Sequence, residues 1–104
     1  MRRTVLGLAV FSLLPALAAA GEIFGTIKEG GKPAEGVTVE ITSPGRAYTT
    51  KTDKFGSYSV YVPETGKCRL AVKTNGGAPS IEVYSYEKSA RYDLVVEGQA
   101  LRRK

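Results

Sequence analysis

From residue 22 onward, hydrophobic and polar positions alternate in short runs that Gly, Pro and Asn separate. Alternation with a period of two is typical of β-strands that bury one face, and no stretch here repeats with the helical period. In the clearest run, Lys67–Thr74, Cys68, Leu70 and Val72 alternate with mostly charged side chains. The pattern predicts seven strands: Glu22–Lys28, Val37–Thr42, Ala47–Thr52, Ser57–Val62, Lys67–Thr74, Ser80–Tyr86 and Ala90–Glu97.

Short strands at this spacing, with no segment left for a crossover helix, predict an all-β fold. We expect an antiparallel Greek-key β-sandwich of about seven strands, formed by residues 21–97 and followed by a basic C-terminal tail, residues 98–104. Between the third and fourth strands, Asp53 and Gly56 predict a structural turn. The Asp53 side chain can accept hydrogen bonds from the backbone N–H groups that follow it, and Gly56 can adopt a positive φ.

The first twenty residues have the pattern of a secretory signal peptide. The pair Arg2–Arg3 precedes the apolar run 5–14, and Ala18 and Ala20 fit an A-x-A cleavage site before Gly21. A membrane-spanning helix needs about 20 apolar residues, so we expect cleavage and no stable membrane anchor afterwards. The mature chain is then exported to the periplasm or the outside of a bacterial cell, by the general or the twin-arginine route.

The net charge of the chain bears on which partners it can bind. The formal net charge is +5, and removal of Arg2 and Arg3 leaves +3, which equals the charge of Arg102–Lys104 alone. The body of the domain is therefore neutral, whereas a nucleic-acid-binding domain carries a basic face, so we expect no nucleic-acid partner.

The chain has one cysteine, Cys68, which excludes an internal disulfide. Its alternation with Leu70 predicts a core position, and an intermolecular disulfide is the alternative.

Two motifs carry a family resemblance. Gly31–Gly36 reads G-x-P-x-x-G before the β-branched strand at Val37, and Thr50–Tyr58 reads T-x-T-D-x-x-G-x-Y. With these motifs, residues 23–72 resemble the carboxypeptidase regulatory-like domain, which implies a transthyretin-like, immunoglobulin-like sandwich. Members of this family occur beside enzymes, in outer-membrane receptors and as small free-standing exported proteins. The resemblance therefore implies a fold rather than a function.

The residue types limit the chemistry that we expect. The chain has no histidine, the side chain that most often serves as general base and transition-metal ligand. The hydroxyisourate hydrolase, an enzyme on a transthyretin-like sandwich, depends on histidines and a C-terminal Tyr-Arg-Gly-Ser motif, whereas this chain ends Ala-Leu-Arg-Arg-Lys. The sequence therefore predicts no catalytic residues, no metal site and no cofactor, and a protein that is not an enzyme.

Three tyrosines are candidates for a binding surface. Tyr84 and Tyr86 lie on outward positions of one predicted strand, and Tyr61 lies on an outward position of another, which would join them if both strands were in one sheet. Exposed aromatic rings can anchor a protein or stack on a sugar, although half-exposed tyrosines also pair across strands. The sequence predicts a non-catalytic interaction or structural module of the envelope or secreted fraction, with an unknown protein or glycan as partner. A carbohydrate-binding accessory domain that uses the tyrosines is the alternative.

The leader pattern makes a direct prediction about export. We expect the exported protein to begin at Gly21, because the A-x-A site places cleavage after Ala20. Mass spectrometry of the exported protein should show the loss of Met1–Ala20. A full-length chain that stays in the membrane would contradict cleavage.

Overall fold

A computed structural model describes residues 21–104, and the predicted signal peptide, residues 1–20, lies outside the described residues. The strands of the described part are β1 (Glu22–Glu29), β2 (Lys32–Pro33), β3 (Thr38–Ser43), β4 (Arg46–Lys51), β5 (Ser57–Tyr61), β6 (Gly66–Val72), β7 (Ser80–Ser85), β8 (Ala90–Arg91), β9 (Leu94–Glu97) and β10 (Ala100–Arg103).

These strands form two sheets that face each other. One sheet has the order β4-β3-β6-β7 and is antiparallel throughout. The other is built around β1, which pairs with β5 and β2 along one edge and with β8 and β9 along the opposite edge; β10 lies beyond β9. The predicted all-β sandwich is confirmed. Two pairings differ from the expectation of purely antiparallel sheets, since β1 runs parallel to both β8 and β9.

The strand expected at Ala90–Glu97 is interrupted at Tyr92 and Asp93. At this point the chain passes so close to β1 that a Cβ atom on Gly25 would overlap the carbonyl group of Tyr92. The Asp93 carboxylate takes the place of a backbone carbonyl from the neighbouring strand, because its Oδ1 accepts the N–H of Thr26 at 3.0 Å. A side chain therefore completes the hydrogen bonding where the main chain leaves the sheet.

The C-terminal segment is part of the sandwich. Residues 98–104 were expected to form a tail, but β10 pairs antiparallel with β9 after a two-residue turn in which Gly98 has φ +64°. Leu101 is buried in the core, and Arg102 forms an ion pair with Glu97 at 2.9 Å. A single apolar residue among polar ones gives too short an alternation to predict a strand, so the tail assignment is corrected.

The core lies between the two sheets and contains the inward residues that alternation predicted. Its buried members are Ile23, Ile27, Ala34, Val39, Ile41, Tyr58, Val62, Cys68, Leu70, Val72, Val83, Tyr92, Leu94, Val96 and Leu101. Burial raises the pKa of the Cys68 thiol, which keeps it protonated and unreactive at neutral pH. Buried hydroxyls have partners: Ser85 donates to the carbonyl oxygen of Val62 at 2.8 Å.

The turn between β4 and β5 is held by Asp53 and Gly56. Asp53 Oδ1 accepts the N–H groups of Phe55 and Ser57 at 2.8 and 3.0 Å. Gly56 has φ +77°, and a Cβ atom on it would lie 2.5 Å from the carbonyl oxygen of Ile27. Two separate constraints therefore require glycine at this position, a left-handed backbone and the close approach of β1.

Gly45 provides a matched control, since it has φ +88° but no atom within 4 Å of its ideal Cβ. Gly45→Ala should lower the free energy of unfolding by about 1–2 kcal/mol, the cost of a left-handed backbone for alanine. Gly56→Ala should lose about 1–3 kcal/mol more through steric overlap with β1. Urea unfolding of both variants measures the difference, and equal losses would show that the packing against β1 is not limiting.

Candidate functional site

Tyr84 and Tyr86 form a stacked aromatic pair on the outside of the sandwich. Tyr84 belongs to β7 and Tyr86 follows it, and their side chains are 39% and 51% exposed. The ring centroids are 6.2 Å apart and the ring planes differ by 20°. The residues between and before them, Ser85 and Val83, point inward and are buried. The two outward rings thus share one face and lie stacked side by side.

Tyr61 reaches this pair by a route that the sequence did not predict. It ends β5, which belongs to the opposite sheet, so the condition that all three tyrosines share a sheet is not met. The chain after β5 crosses one end of the sandwich, and this crossing brings Tyr61 and Tyr86 to the same groove, of about 380 Å³. The residues that line the groove are Gly21, Tyr61, Pro63, Thr65, Tyr86 and Glu87. We call Tyr61, Tyr84 and Tyr86 with this groove the tyrosine face.

The sequence did not indicate the other residues of the groove. Pro63, Thr65 and Glu87 lie outside the strands, where the alternation of polar and apolar residues says nothing about which residues meet. Their only signal is position: Pro63 and Glu87 directly follow predicted strand ends, and Thr65 lies in the short connection between two predicted strands. Residues at the ends of neighbouring strands can meet at one end of a sandwich even when their strands are in different sheets.

Tyr92 fixes the edge strand that carries the aromatic pair. Its ring is buried, and its hydroxyl accepts the backbone N–H of Tyr84 at 2.9 Å and donates to the carbonyl oxygen of Tyr84 at 3.4 Å. The hydroxyl of Tyr58 donates to the carbonyl oxygen of Tyr92 at 2.7 Å. The backbone N–H and C=O groups of Tyr84 are therefore both hydrogen-bonded by a side chain from the other sheet. These bonds hold the strand that carries the tyrosine face.

Glu64 holds the crossing segment that forms the wall of the groove. The hydroxyl of Tyr48 donates to the Glu64 carboxylate, with its oxygen 2.7 and 2.8 Å from the two carboxylate oxygens. The hydroxyl of Ser43 donates to the same carboxylate at 3.2 Å. The hydrogen bond from Tyr48 is the main reason why the pKa of the Glu64 carboxyl lies below its usual value. This ionised carboxylate ties Pro63 and Thr65 to the β3–β4 hairpin.

The outer face of the β1 sheet brings together a hydroxyl, a carboxylate and a guanidinium group. Asp93 Oδ1 accepts from the Thr26 hydroxyl at 3.2 Å, and Arg91 Nε lies 3.0 Å from Asp93 Oδ2. Burial raises the pKa of the Asp93 carboxyl, but the hydrogen bonds from Arg91 and Thr26 together lower it by more, so it stays ionised at neutral pH. Because this carboxylate bridges the interruption between β8 and β9, we assign the cluster a structural role.

Two further observations concern residues 21–104 alone. No group of three or more Cys, Asp or Glu side chains that could hold a metal ion occurs in this part of the chain, nor any helix long and apolar enough to cross a membrane.

A second groove, of about 610 Å³, lies at the opposite end of the sandwich between the segments 35–38, 73–76 and 98–99. It contains no aromatic side chain, in contrast to the tyrosine face.

Comparison with known proteins supports the fold. No family model and no curated protein matches the chain. Among solved structures, the 5-hydroxyisourate hydrolase of Klebsiella pneumoniae is similar with a TM-score of 0.63 and 16% sequence identity, over 81% of this chain and 98% of that one. The chain therefore has a transthyretin-like β-sandwich fold. At this identity the likeness shows the fold, and it assigns no reaction to this chain.

The same finding corrects two predictions from the sequence. The expectations that the protein is not an enzyme and that it is a non-catalytic module are contradicted, because a solved structure with this fold is an enzyme. The expectation rested on the absence of histidine from this chain. A transthyretin-like sandwich is a fold on which catalysis occurs, so the fold gives no ground for a non-catalytic role.

The Tyr48–Glu64 contact predicts a pH dependence. Because the folded-state pKa of Glu64 is depressed, its stabilisation is present above the unfolded pKa of about 4.3 and is lost as the pH falls through the folded value. Tyr48→Phe removes the hydrogen bond, so its deficit in unfolding free energy should be largest at neutral pH and smaller in acid. Urea unfolding of the wild type and of Tyr48→Phe across this range measures the effect. A deficit that does not change with pH would contradict it.

Proposed function

We propose that this chain is an exported protein of the bacterial cell envelope that recognises a partner protein through its tyrosine face. The observation that carries the proposal is the groove in which Tyr61 and Tyr86 meet from different sheets, with Tyr84 stacked beside it. Large aromatic side chains dominate binding energy at protein interfaces and lose little entropy when they are ordered. No activity of the structural neighbour is carried over to this chain.

The surroundings of the face favour recognition because they are already ordered. Tyr92 binds the backbone under Tyr84, and Glu64 holds the crossing segment. The start of this segment is further joined to β7 by the hydrogen bond from the Ser85 hydroxyl to the carbonyl oxygen of Val62. A surface that is rigid before binding avoids the cost of ordering it in the complex.

We also propose that the chain is related to the carboxypeptidase regulatory-like domains. Its two motifs, Gly31–Gly36 and Thr50–Tyr58, contact each other in the fold. The hydroxyl of Thr52 accepts the N–H of Val37 at 2.8 Å and donates to the carbonyl oxygen of Ala34 at 2.5 Å. A threonine that joins both motifs gives a physical reason for their occurrence together, which supports the kinship.

Capture from a cell-envelope extract tests the proposal. The exported protein should retain a partner that the double variant Tyr84→Ala plus Tyr86→Ala loses by about ten-fold or more, since each removed ring can anchor binding. Phe55→Ala is the matched control: Phe55 is 65% exposed but lies beyond the opposite end of β5, so this variant should bind as the wild type does.

A photo-crosslinker identifies the contact surface independently. Placed at Thr65 in the groove, it should attach the captured partner, and placed at the exposed Thr49 on β4 it should not. Thermal melts should show both tyrosine variants folded; Tyr61→Ala, which changes a side chain that is 57% exposed, repeats the test if the double variant unfolds. Equal capture by folded wild type and variants would reject the tyrosine face as the binding site.

A further inference from the structure

We propose that Asn75 is a site of spontaneous deamidation, which converts its side-chain amide into a carboxylate while the protein is folded. Asn75 and Gly76 are the two central residues of the turn between β6 and β7. They line the groove at the opposite end of the sandwich from the tyrosine face. This inference therefore goes beyond the proposed function and does not depend on it.

The reaction needs only the asparagine, the backbone of the next residue and water. The backbone nitrogen of Gly76 attacks the side-chain carbonyl carbon of Asn75 and forms a C–N bond. The side-chain nitrogen leaves as ammonia and takes up the proton that the backbone nitrogen loses, which closes a cyclic imide. Water then adds to one of the imide carbonyls and opens the ring to aspartate or isoaspartate, with no oxidation or reduction.

The hydrogen bonds of the turn leave the attacking nitrogen free. The turn is closed by the residues on either side of the pair, since Thr74 N–H donates to the carbonyl oxygen of Gly77 at 2.8 Å and Gly77 N–H donates to that of Thr74 at 3.3 Å. Within residues 21–104, no group accepts a hydrogen bond from the N–H of Gly76 or bonds the side-chain amide of Asn75. The Gly76 nitrogen therefore has no hydrogen bond to break before it reacts.

The reacting groups are also open to water and free of steric shielding. Residues 75–77 are all exposed, and Gly76 has no side chain beside its own nitrogen. The short side chain of asparagine reaches the backbone that follows it, as it does in the turns that this residue favours. The folded chain thus holds the amide, the nitrogen and water together without unfolding.

The product changes the charge of the groove that Asn75 lines. The charged residues among those that line this groove are Glu29, Glu35 and Lys73. Two acidic side chains and one basic side chain give the lining a formal charge of −1, which deamidation makes −2. The groove of the aged protein therefore attracts cations more strongly than the groove of the newly made protein.

Isoaspartate changes the backbone of the turn as well. It adds one methylene group to the main chain between Thr74 and Gly77, whose mutual hydrogen bonds close the turn. The carbonyl oxygen of Gly76 accepts the side-chain amide of Gln99 at 3.0 Å, which links this turn to the one between β9 and β10. The longer backbone displaces this carbonyl group, so the link between the two turns weakens.

Peptide mass spectrometry of aged protein tests the inference, because Asn75 is the only asparagine of the chain and Gln99 the only glutamine. After incubation of the exported protein at neutral pH, the peptide with Asn75 should gain the mass difference between a hydroxyl and an amino group. The peptide with Gln99 should not change. An isoaspartyl methyltransferase should label the first peptide, and neither Asp53 nor Asp93 precedes a glycine that would give the same product.

Gly76→Ala is the matched variant, because it keeps the asparagine and places a methyl group beside the attacking nitrogen. The φ of Gly76 is not positive, and its ideal Cβ lies in ordinary contact, 3.5 Å from Gln99 Nε2, so this variant should melt as the wild type does. It should lose most of the mass gain. Asn75→Gln should lose it too, because the longer side chain must close a larger ring.

A second sample, aged in urea, shows what the unfolded chain does. Conversion of Asn75 in the folded wild type, and its loss in both variants, is the expected result. If Asn75 is converted in urea but persists in the folded protein, the turn protects the site and the inference is overturned. Equal conversion in wild type and Gly76→Ala would also overturn it, because the Gly76 nitrogen would then not control the reaction.

Discussion

Tyr92 joins the two sheets through its backbone and its hydroxyl. Its backbone N–H donates to the carbonyl oxygen of Phe24 on β1 at 2.8 Å, and its carbonyl oxygen accepts the hydroxyl of Tyr58 on β5 at 2.7 Å. Its own hydroxyl binds the backbone of Tyr84 on the opposite sheet, and the Arg103 guanidinium lies 4.9 Å from the centre of its ring. Tyr92 therefore fixes the position of the edge strand β7 and of the tyrosine face. The same residue lies between β8 and β9, where the strand predicted at Ala90–Glu97 is interrupted.

Much of the fold could be predicted because one face of each strand is buried. Alternation alone placed Cys68, Leu70 and Val72 inward, and it placed Tyr84 outward. It could not predict that β1 pairs in parallel with β9, because parallel pairing leaves no local mark in either strand. It also missed β10, since one buried leucine between exposed residues does not make a pattern.

The site was predicted less completely than the fold. Tyr84 and Tyr86 follow from the register of one strand, but the groove joins strand ends and connecting segments from both sheets. Tyr48 shows the same limit, since its partner Glu64 lies 16 residues further along the chain on a different connection. Side chains that meet across loops have no periodic signal. The fold itself does not decide the function either, because unrelated sites can be built on one sandwich.

The parallel pairing of β1 has a consequence for how the chain folds. β1 comes first in the described sequence and yet lies inside its sheet, where Thr26 binds Asp93, 67 residues later. Contacts of such long sequence separation form slowly, because a large loop must close before they add stability. During synthesis, β1 has no partner on this edge until residue 90 has been made. The nascent chain therefore cannot complete its sandwich until nearly all of its residues have been made.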